Sequence, residues 1–591
     1  MNRRRGGTCF SLSAILLFAL TLPLQAAVDA TLNGKPAIAG DYKPADVTEL
    51  TLRNGLLSIT FGSDGSATSL IKNGRELAHN LNGIVPRDVD AHRTWYIDYN
   101  AGGGHLVADI IRVVKVTPEM VHIAIIDSSG TSAFYLEHHI LLMNGESGLY
   151  GYVICKNPKD RRLGGEMRSM YRLDRDIFDW AYVSERTGHQ PRYAELVQYP
   201  TVQDETWKMP DGSVYQKYDY SAYMAETPMW GHYGHGFGVW FIPVSTDYYA
   251  GGPLRQDLMV HQDALILNYF QGAHYGGGGP GNFENGQKLF GPWFTYINTG
   301  ENDAMIADAK KKVGAEQAKW PYKWMDEPLY PLSRTKVTGQ LKVEGRGSPA
   351  HAMVVLGKPG VEIYKQGGDF MFYAKADAAG KFTLPNVRPG SYALYAYATE
   401  GPITTQLEKD DVVVSGANLD LGPVPWTQPK SSALLWQIGK SDRMAGEFKF
   451  GDQLRNIQWV GMVPPDLTYT IGTSHERTDW YFAQGKVGNW DVKFEAASPL
   501  AGTAHLSVAI AGVSGNPKLT IFVNGKEVKQ LSYGNDAATY RAAVRSARYV
   551  LEDIAFPAGL LTQGTNTVRF AITAVGKNGG IMYDTIKLEI E

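Results

Sequence analysis

Cysteine is scarce in this chain, and its positive and negative charges nearly cancel. The 591 residues include two cysteines, Cys9 and Cys155. Because Cys9 lies in a segment that we expect to be removed, we predict no internal disulfide and large domains that depend on their cores. Lys and Arg number 57 against 60 Asp and Glu, a net charge of -3. A strongly basic footprint for nucleic acid is therefore excluded.

Long apolar runs are also rare. The stretch from Phe10 to Leu24 is too short and too weakly flanked for a spanning helix, and it follows Arg3, Arg4 and Arg5. Small residues come next, so the pattern predicts a secretory signal over residues 1–26. No other run approaches about 18 apolar residues. We expect a soluble protein exported through the periplasm to the exterior, with no membrane partner after cleavage.

Short strands dominate the rest of the sequence. Runs such as 56–61, 121–126 and 237–242 are rich in β-branched and aromatic residues and end at Gly, Asn, Asp or Pro. One exception is 302–319, where apolar residues recur at helical spacing and predict an amphipathic helix. The sequence thus predicts an all-β fold with one long helix.

Changes in texture divide the chain into three units. Prolines after residue 320 indicate a connection, so the first unit is a β-sandwich over 27–332. A small sandwich over 333–425 follows. The third unit, 426–591, has a hairpin signal at Asn524-Gly525 and the length of a jelly roll.

Three groups of residues suggest chemistry. An extended backbone over 163–172 places Glu166, Arg168, Met170 and Arg172 on one face, and a pair of arginines suits an acidic sugar. A solvated strand face is the simpler alternative. The second group is 215–221, where Lys217 shares a strand face with Tyr215 and Asp219, or is an edge-strand lysine in water.

The third group is a histidine, His274, between a strand over 265–270 and a run of glycines that allows close approach of a polymer. A structural histidine is the alternative. Neither His138-His139 nor His232 with His235 has the spacing of a zinc protease, and no Gly-x-Ser-x-Gly elbow occurs. Tyrosines near these groups are candidate sugar platforms, although most rings in a sandwich fill its core.

These runs, in this order, resemble the rhamnogalacturonan lyases of polysaccharide lyase family 4. The segments that carry the resemblance are 163–168, 215–221, 251–258, 273–276, 290–293, 436–443, 469–473 and 479–484. They cover nearly all of the chain after the signal. Within the family, the chain is similar to lyases exported by plant-pathogenic bacteria.

The resemblance implies a galactose-mutarotase-like catalytic sandwich, a fibronectin-type-III-like middle domain and a jelly roll like a carbohydrate-binding module. It also implies eliminative cleavage of rhamnogalacturonan I. We expect an endolyase and a monomer, while endo or exo action and the oligomeric state stay open. The implied catalytic residues are Lys217 and His274, and the implied substrate-binding arginines are Arg168 and Arg172. Further substrate contacts are expected from four tyrosines: Tyr215, Tyr218, Tyr220 and Tyr275.

The chemistry of β-elimination gives an independent reason to expect arginine, lysine and histidine in such a site. β-Elimination removes the C5 proton beside a carboxylate that gains negative charge, which fixed arginines can stabilise. A neutral lysine can act as base and a histidine can assist the leaving oxygen, but which of the two is base or acid stays open. A non-catalytic pectin-binding protein, or a hydrolase or epimerase on the same fold, are the alternatives. We expect no required cofactor and no catalytic metal; a structural Ca²⁺ ion stays open.

Overall fold

The structure is a computed structural model that describes most of the chain. The described residues are 1, 27–78, 93–99, 104–129, 134–157, 166–184, 186–272, 274–276, 286–430, 433–452, 461–541 and 543–591. The predicted signal peptide and most of the glycine run after His274 lie outside them. Within these ranges, no helix combines the length and hydropathy needed to cross a bilayer. Cys155 is buried and unpaired.

The fold is all-β, as predicted, and most strands belong to the first domain. These strands are β1 (Asp29–Leu32), β2 (Lys35–Pro36), β3 (Gly40–Tyr42), β4 (Leu50–Arg53), β5 (Leu57–Phe61), β6 (Ala67–Lys72), β7 (Arg75–Glu76), β8 (Tyr96–Tyr99), β9 (Gly104–His105), β10 (Ile110–Val116), β11 (Met120–Asp127), β12 (Tyr135–Met143), β13 (Gly148–Lys156), β14 (Met167–Arg172), β15 (Trp180–Val183), β16 (Arg186–His189), β17 (Thr201–Gln203), β18 (Thr206–Lys208), β19 (Val214–Gln216), β20 (Ser221–Tyr223), β21 (Trp230–Gly234), β22 (Phe237–Ile242), β23 (Gln256–Leu258), β24 (Val260–His261), β25 (Leu265–Gln271) and β26 (Gln287–Thr299).

Three large sheets enclose one core in this domain. A six-stranded sheet has the order β2-β1-β4-β5-β6-β7, a ten-stranded sheet the order β16-β15-β21-β22-β26-β13-β12-β11-β10-β3, and a five-stranded sheet the order β24-β25-β14-β8-β9. One hydrophobic cluster contains side chains from all three sheets, among them Leu52, Ile123, Phe241, Tyr171 and Phe270. The five-stranded sheet therefore has an inner face in the core and an outer face that points away from it.

Helices among the described residues include the short α1 (Tyr193–Leu196), the long α2 (Asn302–Lys319) and the short α3 (Glu476–Asp479), and short 3₁₀ segments also occur. Helix α2 has the bounds predicted from its periodicity. Its buried residues Met305, Ala309 and Val313 join a second cluster with the ten-stranded sheet. Apolar residues at this spacing form one stripe along a helix, which explains why α2 lies on the sheet.

The middle domain is a two-sheet sandwich. Its strands are β27 (Thr335–Glu344), β28 (Met353–Gly357), β29 (Phe372–Lys375), β30 (Lys381–Val387), β31 (Gly390–Tyr397), β32 (Gln406–Val414) and β33 (Leu419–Thr427). Sheets β30-β27-β33 and β29-β28-β31-β32 share a core. The boundary predicted at 425/426 cuts β33 and is wrong there, because Trp426 is buried in this core and β33 pairs with β27 through Thr427.

The third domain is also a sandwich of two sheets. Its strands are β34 (Ala433–Gly439), β35 (Leu467–Thr470), β36 (Gly488–Ala496), β37 (Thr503–Ser514), β38 (Lys518–Val523), β39 (Lys526–Ser532), β40 (Val550–Pro557), β41 (Gly564–Ala574) and β42 (Gly580–Ile590). Their orders are β34-β42-β37-β40 and β35-β36-β41-β38-β39. Its core includes Leu267 and Tyr269 of β25, so this domain packs on the outer face of the five-stranded sheet.

A buried lysine joins the first domain to the second. Lys288 in β26 is 1% exposed, and its ammonium donates hydrogen bonds of 2.8 Å to the backbone oxygens of Gly367 and Asp369. Its Nζ also lies 5.0 Å from the Phe290 ring centroid and 5.2 Å from that of Phe370. Burial lowers the pKa of Lys288 from 10.5 to about 7. The junction therefore contains a group that gives up a proton when the chain folds.

This protonation difference predicts a pH-dependent stability. Between about pH 7 and 10 the folded state binds fewer protons at Lys288 than the unfolded chain does, so the contribution of Lys288 increases as pH rises and is lost as pH falls to about 7. We expect the free energy of unfolding of the wild type, minus that of Lys288→Met, to increase across this range in denaturant titrations. Exposed Lys409→Met is the control. A difference that does not change with pH would contradict the prediction.

Candidate active site

The outer face of the five-stranded sheet carries both predicted arginines. Arg168 and Arg172 lie in β14, and because they are four residues apart they project to the same side. The β14 register places Arg168 opposite Asp98 of β8 and Tyr269 of β25, and Arg172 opposite Leu265. The extended segment predicted over 163–172 is therefore confirmed for Met167–Arg172, while 163–165 lie outside the described residues and the role of the two arginines stays a prediction.

Arg168 is held in one position by its neighbours. Its Nε and Nη2 donate to the two oxygens of Asp98 at 2.7 and 3.0 Å, and its Nη1 donates to the Tyr269 hydroxyl at 2.5 Å. Nη1 also lies 3.5 Å from Oε2 of Glu166. Burial works against the charge, but Tyr269 and Asp98 outweigh it and raise the pKa of Arg168 well above its usual value. The site thus contains a permanent cation with little freedom to move.

Arg172 lies further along the same strand. Four residues of a strand correspond to about 13 Å, so the two guanidinium groups start from well-separated positions. The Nη2 of Arg172 donates to the Tyr96 hydroxyl at 3.1 Å, and its backbone N–H donates to Thr94 at 2.8 Å. The structure therefore brings Arg172 to the same face as Arg168, where its guanidinium contacts the Tyr96 hydroxyl.

His274 lies between two carboxylates. Its Nδ1 is 2.8 Å from Oδ1 of Asp257, and its Nε2 is 3.1 Å from Oε1 of Glu166. Behind Asp257, the fully buried Arg255 donates to Oδ2 at 2.7 Å. Burial tends to raise the pKa of Asp257, but Arg255 and His274 outweigh it and lower the pKa. A Cβ at Gly272 would fall 2.4 Å from that Oδ2, so a glycine is required at this close approach.

The local structure at Lys217 differs from the prediction. The strand β19 ends at Gln216, and Lys217–Tyr220 form a 3₁₀ helix, so Lys217 does not share a strand face with Tyr215 and Asp219. The reason is a capping box, in which the Asp219 carboxylate accepts the backbone N–H of Gln216 at 3.3 Å. Side chain to backbone hydrogen bonds of this kind compete with extended structure.

Lys217 is paired with a carboxylate that sequence analysis did not identify. Its Nζ lies 3.1 and 3.2 Å from the two oxygens of Asp204, and the Tyr218 hydroxyl donates to Asp204 at 2.7 Å. Burial tends to raise the pKa of Asp204, but Lys217 and Tyr218 outweigh it and lower the pKa. A general base must be neutral and free to reach the substrate proton, so a role as base requires the contact between Lys217 and Asp204 to open when substrate enters.

The structure separates the four predicted tyrosines. Tyr218 and Tyr275 lie near His274: the Tyr218 ring centroid is 6.1 Å from both the His274 and the Tyr275 rings. Tyr275 is 1% exposed, and its hydroxyl oxygen is 2.6 Å from that of Ser221, so its ring is buried beneath the Tyr218 ring and is not a surface for sugar stacking.

Tyr215 and Tyr220 have different surroundings. The Tyr215 hydroxyl donates to Gln190 at 3.0 Å, and its ring stacks near Trp207. The Tyr220 ring belongs to the core of the first domain. These contacts are with Gln190, Trp207 and the core of the first domain, and the predicted contact of the two tyrosines with substrate stays a prediction.

The third domain also contributes to the site. Arg541 has its Cζ 4.8 Å from the Tyr218 ring centroid and donates a hydrogen bond to the backbone oxygen of His274. The backbone carbonyl of the neighbouring Tyr540 accepts a hydrogen bond of 2.8 Å from the Gln203 side chain. Sequence analysis gave no signal for this contact, because it joins residues that are hundreds of positions apart. Gly276, at φ +75° against Ser546, marks the same junction.

Taken together, the fold and the site bring a largely enclosed arginine, a lysine and a histidine close to one another, each beside at least one carboxylate. Residue types of this kind can stabilise a negative charge and transfer protons. Within the described ranges, no three His, Cys, Asp or Glu side chains are grouped to hold a metal ion.

Comparison with known proteins identifies the family. The models for polysaccharide lyase family 4, domain III and domain II, match residues 434–588 and 345–420. The chain is 40% identical over 583 residues to "Rhamnogalacturonate lyase" of Dickeya dadantii, covering 97% of this chain and 96% of the relative. It is 24% identical over 686 residues to "Rhamnogalacturonate lyase B" of Emericella nidulans, covering 99% and 100%. The chain belongs to polysaccharide lyase family 4.

One solved structure is similar to a smaller part. A family 35 carbohydrate binding module from an environmental isolate is 17% identical and covers 17% of this chain and 65% of that one. Its TM-score of 0.14 is too low to support any conclusion. The middle and third domains are therefore assigned from the family models and the sheets of this structure.

The Arg541 contact predicts that the third domain is needed for activity. Arg541→Ala removes the cation above Tyr218 and the hydrogen bond to the His274 backbone, so we expect lyase kcat/KM to fall by about 10-fold, the effect of about 1.4 kcal/mol. Arg569→Ala is the matched control, because Arg569 pairs with Asp491 on the exposed surface of the same domain. Equal activity of the two variants in steady-state assays would refute a role for Arg541.

Proposed function

We propose that this protein is a rhamnogalacturonan endolyase. It cleaves the bond between rhamnose and galacturonate in the rhamnogalacturonan I backbone of pectin and leaves an unsaturated galacturonate at the new non-reducing end. The observation that carries the proposal is the chain of contacts from Arg168 through Glu166 to His274, with Lys217 next to it through Tyr218 and Asp204. The printed names of the relatives support the substrate.

We assign each side chain a role that its surroundings support. Arg168, fixed by Asp98, meets the galacturonate carboxylate as charge builds on it. Lys217, once neutral, removes the C5 proton; the C5–H electron pair forms the C4–C5 double bond, and the C4–O4 bond breaks. His274 gives a proton to the departing oxygen, and Asp257 and Glu166, which lie beside its two ring nitrogens, hold the ring in place. Arg172 extends the cationic face along the polymer.

Hydrolysis has less support at this site. It would need two carboxyl groups free to act as acid and base across the bond. The four site carboxylates, Asp98, Glu166, Asp204 and Asp257, each lie within an ion pair with Arg168, Lys217, Arg255 or His274. A binding protein without activity would not need a lysine and a histidine placed beside a fixed arginine. Elimination uses all three.

Several properties of the enzyme stand as proposals. We infer export by the N-terminal signal, a monomeric enzyme and catalysis without a required cofactor. A structural Ca²⁺ ion in the β domains is compatible with this scheme. Galactose-mutarotase-like topology of the first domain is a further expectation from the family resemblance.

Elimination and the roles of the site residues are tested together. The wild type should produce the ultraviolet absorbance of unsaturated uronates from rhamnogalacturonan I and little from homogalacturonan. Lys217→Ala and His274→Ala should each lower kcat by at least about 100-fold, the usual contribution of a positioned acid or base. Arg168→Ala should raise KM and lower kcat, because it contacts the carboxylate in both ground and transition states.

Lys208→Ala is the control for the lysine, since Lys208 is exposed in β18 of the same small sheet. Circular dichroism verifies folding of each variant. Saturated products would end the lyase proposal. A folded Lys217→Ala enzyme with wild-type kcat would remove that lysine from the mechanism.

Independence from metal is a separate prediction. Since fixed arginines are proposed to neutralise the carboxylate, chelator should leave kcat within about 3-fold of its value, even if it lowers the melting temperature. The assay is elimination before and after dialysis against EDTA, with folding followed by circular dichroism. Complete loss of activity in a folded protein, restored by Ca²⁺ alone, would contradict it.

A further inference from the structure

A second histidine lies on the same face as the two arginines. His261 is in the edge strand β24, where it pairs with Leu265 of β25, and Leu265 in turn pairs with Arg172 of β14. Residues paired across neighbouring strands project to the same side of a sheet. Val260, the preceding residue, is in the core of the first domain. His261 therefore projects to the outer face, with Arg168 and Arg172.

The surroundings of His261 are cationic. Burial lowers its pKa well below the usual value, and Lys217, Arg168, His274 and Arg172 lower it further in that order. Three of these side chains are the ones proposed to act in elimination, and Arg172 lies on the same face, so the proposed site surrounds one imidazole ring. A positive field of this kind keeps the ring neutral at neutral pH, and a neutral imidazole has one nitrogen that can accept a hydrogen bond.

One ring nitrogen of His261 has no partner. Its Nε2 is buried and makes no hydrogen bond to any part of the chain that the structure describes. Buried polar atoms are nearly always hydrogen-bonded in native proteins, and an unsatisfied one suggests that another molecule completes the bond. This nitrogen lies on the face where the polymer is proposed to bind.

The substrate has groups that match such an acceptor. A galacturonate residue offers a carboxylate, which suits the arginines, and ring hydroxyls, which can donate hydrogen bonds. The carboxylates Asp98, Asp204 and Asp257 are already in ion pairs with cations of the site. His261 Nε2 is an acceptor on this face that has no such commitment.

We propose that His261 binds substrate, with its Nε2 accepting a hydrogen bond from a ring hydroxyl of the galacturonate whose carboxylate meets Arg168. The assignment rests on the proposed elimination of a uronate polymer. It makes His261 a binding residue and leaves proton transfer to Lys217 and His274.

The test compares two substitutions at this position. His261→Gln keeps a side-chain amide near Nε2, whereas His261→Leu resembles Leu265 and Leu267 of the neighbouring strand and removes the acceptor. We expect His261→Leu to raise KM for rhamnogalacturonan oligosaccharides by about 10-fold with kcat within about 3-fold, since an interaction equal in ground and transition states appears in KM. His261→Gln should recover most of that loss. His505→Leu, on the surface of the third domain, is the control.

Each outcome decides the proposal. An unchanged KM in folded His261→Leu would overturn it. A lower kcat in His261→Leu, accompanied by an altered pH profile and not recovered in His261→Gln, would also overturn it, because His261 would then be a proton-transfer group. Calorimetric titration of the oligosaccharide into the Lys217→Ala variant and into the Lys217→Ala, His261→Leu double variant measures the dissociation constant without turnover. If the wild type forms no unsaturated product, the proposed function fails, whereas weaker binding of the His261→Leu double variant would still support the contact.

Discussion

The site depends on one buried ion pair between neighbouring strands, Arg168 with Asp98. Two parallel hydrogen bonds of 2.7 and 3.0 Å fix the guanidinium plane, and the register of β14 on β8 places the partners directly opposite each other. Breaking such a pair by removing one partner leaves an uncompensated charge that costs about 3–5 kcal/mol. From Arg168 the contacts continue through Glu166 to His274, so the position of the histidine depends on the same pair.

The two ion pairs of the site differ in their exposure to solvent. The Arg168 and Asp98 side chains are 14% and 2% exposed, whereas Asp204, the partner of Lys217, is 52% exposed. Exposed pairs contribute little stability and exchange easily. Asp204 is therefore the more accessible of the two aspartates, while the Arg168–Asp98 pair is largely enclosed. The site combines a closely held cation with a lysine whose partner is open to solvent.

The third domain is part of this arrangement and not a separate module. Apolar side chains of the sheet's outer face, such as Met170 and Leu267, would form an exposed patch if the third domain were absent. Their burial in the core of that domain brings Arg541 over Tyr218 and against the His274 backbone. Packing of apolar residues thus positions a charged residue from a distant part of the chain.

The sequence by itself determined the all-β fold, the helix at 302–319, the hairpin at Asn524-Gly525 and the shared face of Arg168 and Arg172, because these follow from local periodicity and turn preferences. Only the tertiary structure decided the rest. A capping box overrode the extended pattern at Lys217, and the continuation of β33 moved the boundary at Trp426. The partners of His274, the contact of Arg541 and the position of His261 arise from strand register and domain packing, which join residues far apart in the chain and leave no local pattern.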